Sequence, residues 1–254
     1  SRTNPAAAGS TPAGEARVRF ERSGAFVVRT FGPDARTTRG RDADAAAWMV
    51  FVSALPFPAA GAANAPVPAP SAISIQRTWF AYYDPAPAAD GTPREPRGVV
   101  LIMPGLLGTP RGTFELAFAA MRQRGWAVLR MLAQPSRFLE RTVVVLDADD
   151  LEGTAQRIAR DYSERAAECA FAVEAAFDYI ESIRPGLASL PRVALGGSGG
   201  AMTLPTVVAR EPGRYAAAVM LAGGADLWLI TSRSNYADMI GATALRYRDR
   251  ALTD

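Results

Sequence analysis

The sequence predicts an α/β protein with a mostly parallel central sheet flanked by helices. Three observations carry that expectation. From residue 99 onward, short apolar runs alternate with stretches of helical periodicity. The apolar runs are continuous, as strands buried on both faces of a parallel sheet are. Turn residues mark the changes, among them Pro104-Gly105, Gly125 and Gly196-Gly197.

Taken in chain order, residues 1–15 are rich in Ala, Pro, Gly, Ser and Thr and read as a disordered tail. Such tails often follow an export or lipoprotein signal, so the composition points to an extracytoplasmic or cell-envelope location. Residues 16–254 read as one domain. Residues 16–31 alternate enough for a hairpin around Ser23-Gly24. The run 46–52, AAWMVFV, suits strand or helix. Residues 54–72 are a Pro/Ala-rich connection, too Pro-dense for regular structure. A strand is expected over 73–83, then a loop with an Asp90-Gly91 turn, then a buried strand over Val99–Met103. Residues 113–124 predict a helix closed by Gly125, and 126–132 the next strand.

Residues 154–184 predict one long helix, because Ile158, Tyr162, Ala166, Cys169, Val173, Phe177 and Ile180 recur at three- and four-residue spacing. Val193–Leu195 predicts a strand. A helix follows from Ala201, with Pro205 inside it and expected to kink it. A last strand runs from Tyr215 to Ala222 and ends in Gly223-Gly224-Ala225-Asp226. No internal repeat is present.

The 254 residues are 49% hydrophobic and 21% charged, which suits one globular domain with a sizeable core. The net charge is +3, but the arginines are scattered and no basic cluster is interleaved with aromatics. Nucleic acid is therefore not an expected partner. No apolar run reaches the length of a membrane span. Cys169 is the only cysteine, which excludes an internal disulfide and a thiolate metal cluster. No cofactor and no metal are implied. The chain has no histidine and no lysine. It begins at Ser1 and not at Met, which reads as a processed, trimmed or fragmentary polypeptide.

Gly196-Gly197-Ser198-Gly199-Gly200 looks like a flexible linker, since Gly/Ser chains gain little from ordering. Its flanks argue otherwise. A strand before it and a helix after it make a strand, a tight turn and a helix with serine at the centre, the G-x-S-x-G pattern. That chemistry needs small residues. The serine backbone is strained, so the residues two positions away must let strand and helix pass closely.

These residues resemble the α/β-hydrolases, over roughly residues 73–230. The likeness rests on GVVLIMPGLLG, 98–108, a strand entering a Gly-rich turn, and on RVALGGSGGA, 192–201. It implies that Ser198 is the nucleophile of a serine hydrolase, an esterase by the family's commonest outcome. It also implies that the Leu106 and Gly199 amides form the oxyanion hole. Fixed N–H dipoles suit that role, and losing one such donor typically costs about 2.7–4 kcal/mol in the transition state. The chain departs from the family's usual His-Gly at Pro104-Gly105. The substrate would be a small-molecule ester or another acyl compound.

A serine nucleophile needs a base, and the base an orienting acid. The family's base is histidine, which this sequence lacks, and a Ser–Lys pair is equally absent. The expected account is C-terminal truncation, with the last strands and the histidine beyond Asp254, so that this fragment alone would be inactive. A non-catalytic binding protein of the same fold is the alternative. Asp226 ends the strand after the elbow, where some family members place the triad acid. A helix cap or a solvated loop aspartate is the other reading of it.

VVVLDADDLEG, 143–153, is similar to the phosphotransferase pattern in which Asp147 would be nucleophile, Asp149 acid and Mg²⁺ the clamp. Leu151 stands where Thr or Val is expected, and the supporting lysine is missing. An acidic turn capping the following helix is the preferred reading. Cys169 lies on the helix's apolar stripe and reads as a small buried hydrophobe.

Overall fold

A computed structural model describes residues 14–20, 24–31, 45–54, 75–105, 113–133, 142–146, 149–223, 243–247 and 250–251. The main sheet has eight strands in the order β1-β2-β3-β4-β6-β5-β8-β9. They are β1 (Gly14–Phe20), β2 (Gly24–Phe31), β3 (Ala47–Ala54), β4 (Ile75–Tyr83), β5 (Val99–Met103), β6 (Ala127–Ala133), β8 (Arg192–Gly197) and β9 (Tyr215–Leu221). The pairings β6·β5, β5·β8 and β8·β9 are parallel. These four strands are the expected parallel core. The antiparallel run β1-β2-β3-β4 extends it and joins it at β6. The expected hairpin is the β1·β2 pair, and the ambiguous run at 46–52 is a strand. It is held between β2 and β4, a long-range choice that the short run itself does not encode.

Helices cover the parallel core. They are α1 (Thr113–Gln123), α2 (Leu151–Ile183) and α3 (Gly199–Arg210). β5 shows how the two faces fill. Val99, Leu101 and Met103 pack with Phe171, Phe177 and Ile180 of α2 and with Leu204 and Val207 of α3. Val100 and Ile102 pack with Phe118 of α1 and Val128 on the other face. All five are buried, which explains their unbroken apolar sequence.

α2 is 33 residues long, roughly 50 Å at 1.5 Å per residue. It begins three residues before the expected start. Asp150 is its N-cap, and the Asp150 carboxylate accepts from the Gly153 N–H at 2.9 Å. The acidic stretch is thus a helix cap as expected, with helix already at Leu151. Cys169, Val173, Phe177 and Ile180 are buried and Ala166 is half-buried, so this part of the stripe faces the core. The side chains of Ile158 and Tyr162 lie outside the described residues. Burial pushes the Cys169 thiol well above its ordinary value and keeps it protonated.

α3 runs unbroken through Pro205. A smaller second sheet joins β7 (Thr142–Leu146) in parallel to β10 (Thr243–Tyr247), which pairs with β11 (Arg250–Ala251). β9 ends the main sheet among the described residues, and its Val219, Met220 and Leu221 are exposed.

Candidate active site

The site is built where β8 ends. Ser198 follows it and heads α3, with φ 50° and ψ −116°, a backbone conformation that L side chains seldom adopt. Its backbone is held on both sides. The N–H donates to Leu221 O of β9 at 2.8 Å. The carbonyl accepts from the Ala201 and Met202 N–H groups at 2.9 and 3.2 Å. A serine in this position normally caps the helix with its hydroxyl. Ser198 makes no such cap bond and is exposed. Ser198 thus stands at the C-terminal edge of the parallel strands with its hydroxyl not used as a helix cap.

The glycines two positions away explain how the turn closes. A Cβ on Gly196 would lie 2.6 Å from Gly200 O. A Cβ on Gly200 would lie 2.5 Å from Met103 O and 2.8 Å from Pro104 O. Strand β8, the first turn of α3 and the end of β5 meet backbone to backbone, and only glycine fits. The Gly199 and Gly200 amides sit in that first turn, where the helix leaves its N–H groups unpaired and its dipole positive. An anion forming at Ser198 would meet that field.

The end of β5 at Pro104 is thus packed against the head of α3. Leu106, the other expected oxyanion amide, follows two residues later but lies outside the described residues, as does Asp226. Asp147 also lies outside them. Asp149 is exposed in the turn before α2, and no group of three or more metal-ligating side chains is found among the described residues. No described helix is long and apolar enough to cross a membrane.

The structure adds residues that the sequence did not single out. Ala222, at the end of β9, has φ +52°. A Cβ on the next residue, Gly223, would lie 2.5 Å from the Ala201 Cβ. At the opposite end of β8, Arg192 is buried. Its guanidinium pairs with Glu181 of α2 and, at 3.2 Å, with Glu211 just beyond α3, and stacks 3.9 Å over the Phe177 ring. Arg214 also reaches Glu181, at 3.0 Å. This network pins the start of β8 and the end of α3 to α2, so the unit carrying Ser198 is anchored away from the turn itself. A charged residue beside an apolar run is no signal of such burial, because its partners are distant in sequence.

With the geometry in view, comparison with known proteins gives the following. A thermostable carboxyl esterase from Bacillus coagulans is 14% identical with a TM-score of 0.36, over 57% of this chain and 39% of that one. A probable hydrolytic enzyme from Pseudomonas aeruginosa is 14% identical with a TM-score of 0.38, over 72% of this chain and 44% of that one. A cold-adapted esterase from an Arctic intertidal metagenomic library is 15% identical with a TM-score of 0.40, over 79% and 71%. The chain thus spans 39% and 44% of the length of the first two. No family model matches the sequence, and no curated protein does.

Proposed function

We propose that this polypeptide carries the nucleophile of a serine hydrolase that cleaves carboxylic esters through an acyl-enzyme on Ser198. The observation behind this reading is the backbone of Ser198 at φ 50°, between a parallel strand and a helix N-terminus, with its side chain exposed and not capping the helix. Strain of about 1–3 kcal/mol at a non-glycine residue persists only where the surroundings enforce it, and such residues cluster at functional sites.

In this reading the Ser198 Oγ attacks the ester carbonyl carbon while its proton passes to a histidine. The carbonyl oxygen becomes an oxyanion held by the Gly199 and Leu106 amides. The C–O bond to the alcohol then breaks, and the histidine returns its proton to the departing alkoxide. Water, deprotonated by the same histidine, attacks the acyl-enzyme, the acyl bond to Ser198 Oγ breaks as the histidine returns the proton to that oxygen, and the acid leaves. This sequence has no histidine, so the reading places the base beyond residue 254. Asp226 is the candidate for the acid that orients it. Ester substrates follow from the family's commonest outcome, and peptides or thioesters use the same residues.

The test is fluorophosphonate labelling of the natural full-length protein, with Ser198→Ala as control and a parallel sample in EDTA. Labelling that is lost in the variant and indifferent to EDTA supports the reading. A folded full-length protein that does not label overturns it in favour of a binding module. Mg²⁺-dependent phosphoryl transfer that survives Ser198→Ala would instead assign the chemistry to Asp147 and Asp149.

A further inference from the structure

We propose that the turn after β9, Leu221-Ala222-Gly223, positions the nucleophile, and that Gly223 is the residue whose missing side chain this requires. The inference rests on the reading of Ser198 as nucleophile. Three observations converge on it. Leu221 O accepts the Ser198 N–H at 2.8 Å, so the end of β9 holds the strained residue from outside its own strand. Ala222 and Ser198 are the two non-glycine residues with positive φ among the described residues, at +52° and +50°. They directly follow adjacent strands whose last residues, Gly197 and Leu221, are in register. Alanine takes this conformation only when its surroundings over-determine it. The third observation is where the chain next goes. At Gly223 it passes so close to α3 that a Cβ would stand 2.5 Å from the Ala201 Cβ and 3.3 Å from its carbonyl carbon.

Ala201 is the residue that closes the first turn of α3, because its N–H donates to Ser198 O at 2.9 Å. A methyl group on Gly223 would therefore press on the hydrogen bond that fixes the Ser198 carbonyl and, through that peptide, the Gly199 amide. Gly223 is a positioning residue. It acts through Ala201 on the distance between the serine and its oxyanion donor.

The experiment uses the natural full-length protein and a fluorophosphonate at saturating concentration, with the first-order rate and the final extent of labelling read separately. A merely structural role reduces the extent, because fewer molecules are folded, while the folded fraction reacts at the normal rate. The positioning role slows the rate at full extent. Gly223→Ala is expected to lower the rate about tenfold or more, since misplacement near 1 Å can cost about 10²-fold. Gly223→Ala with Ala201→Gly, which moves the methyl group from helix to turn, is expected to regain most of it. A wild-type rate in Gly223→Ala, or a double variant as slow as the single one, overturns the inference. If Gly223→Ala does not fold, Ala201→Ser, which adds one oxygen at the same contact, takes its place under the same rate criterion. An unsubstituted protein that does not label defeats the Ser198 reading itself, and this inference with it, before any variant is compared.

Discussion

Arg192 and Glu211 form an ion pair at 3.2 Å with side chains only 2% and 3% exposed. A charge so deep in a protein is tolerated where it has further partners, and Arg192 has Glu181 and the Phe177 ring. Arg192→Met removes the cation and deprives the buried Glu211 carboxylate of this countercharge. The expected cost is about 3–5 kcal/mol in urea unfolding. Arg192→Met with Glu211→Gln removes both charges and should recover a large part of it. Equal losses in the two variants would show that the pair is not what holds β8 to α3.

Ser198→Gly should raise stability while removing the proposed nucleophile. Glycine relieves roughly 1–3 kcal/mol of backbone strain at φ 50° and gives back about 0.5–1 kcal/mol in unfolded-chain entropy. The net expectation is a gain of about 1 kcal/mol in chemical denaturation together with complete loss of fluorophosphonate labelling. A lower denaturation midpoint than the unsubstituted protein would contradict the strain argument.

Gly200→Ala sets a methyl group against Met103 O and Pro104 O, which are main-chain atoms and cannot swing aside. The expected loss is about 1–3 kcal/mol, read as a drop in Tm. Gly186 is the matched control, because a Cβ there meets nothing within 4 Å. Gly186→Ala should stay within about 0.5 kcal/mol of the unsubstituted protein. Similar effects at both glycines would mean that the close approach of α3 to β5 is not required.

Alkaline solution should weaken the fold. Burial pushes the hydroxyls of Tyr82 and Tyr215 above their ordinary value of 10.0 and the Cys169 thiol above 9.0. The folded protein keeps these protons at a pH where the unfolded chain releases them. Their contribution is complete below the ordinary values and is lost progressively as pH rises past 9 and then 10. Tm measured between pH 8 and 11 should fall, and Tyr82→Phe with Tyr215→Phe should flatten the decline. An unchanged slope in that double variant would remove the tyrosines from the explanation.

Part of this was legible in the sequence because it is local. β5 coincides with its apolar run, since five consecutive buried positions leave no room for a polar one. The end of α1 shows in Gly125, whose φ of +85° a glycine accepts freely. The turn at Ser198 is legible because the close approach of β8, α3 and β5 demands glycines at fixed spacing around it. What stayed hidden depends on distant partners. Strand β3 is defined by neighbours on either side, one of them across residues 55–74, and its own composition suits a helix as well. Nothing around Ala222 announces a positive φ, because alanine is a poor residue for it. Arg192 reads as a surface charge until Glu181 and Glu211 fold around it. Leu106 and Asp226 rest on family resemblance alone.

The exposed apolar strand β9 has a consequence for handling. The margin of the main sheet among the described residues and uncharged from Tyr215 to Leu221, it carries none of the lysines, prolines or inward charges with which sheets usually blunt their margins. Such a margin is a template for a neighbouring molecule's main chain. Colloidal behaviour of this polypeptide should therefore be concentration-limited, and a single Val219→Glu on β9 should extend the range over which it stays dispersed.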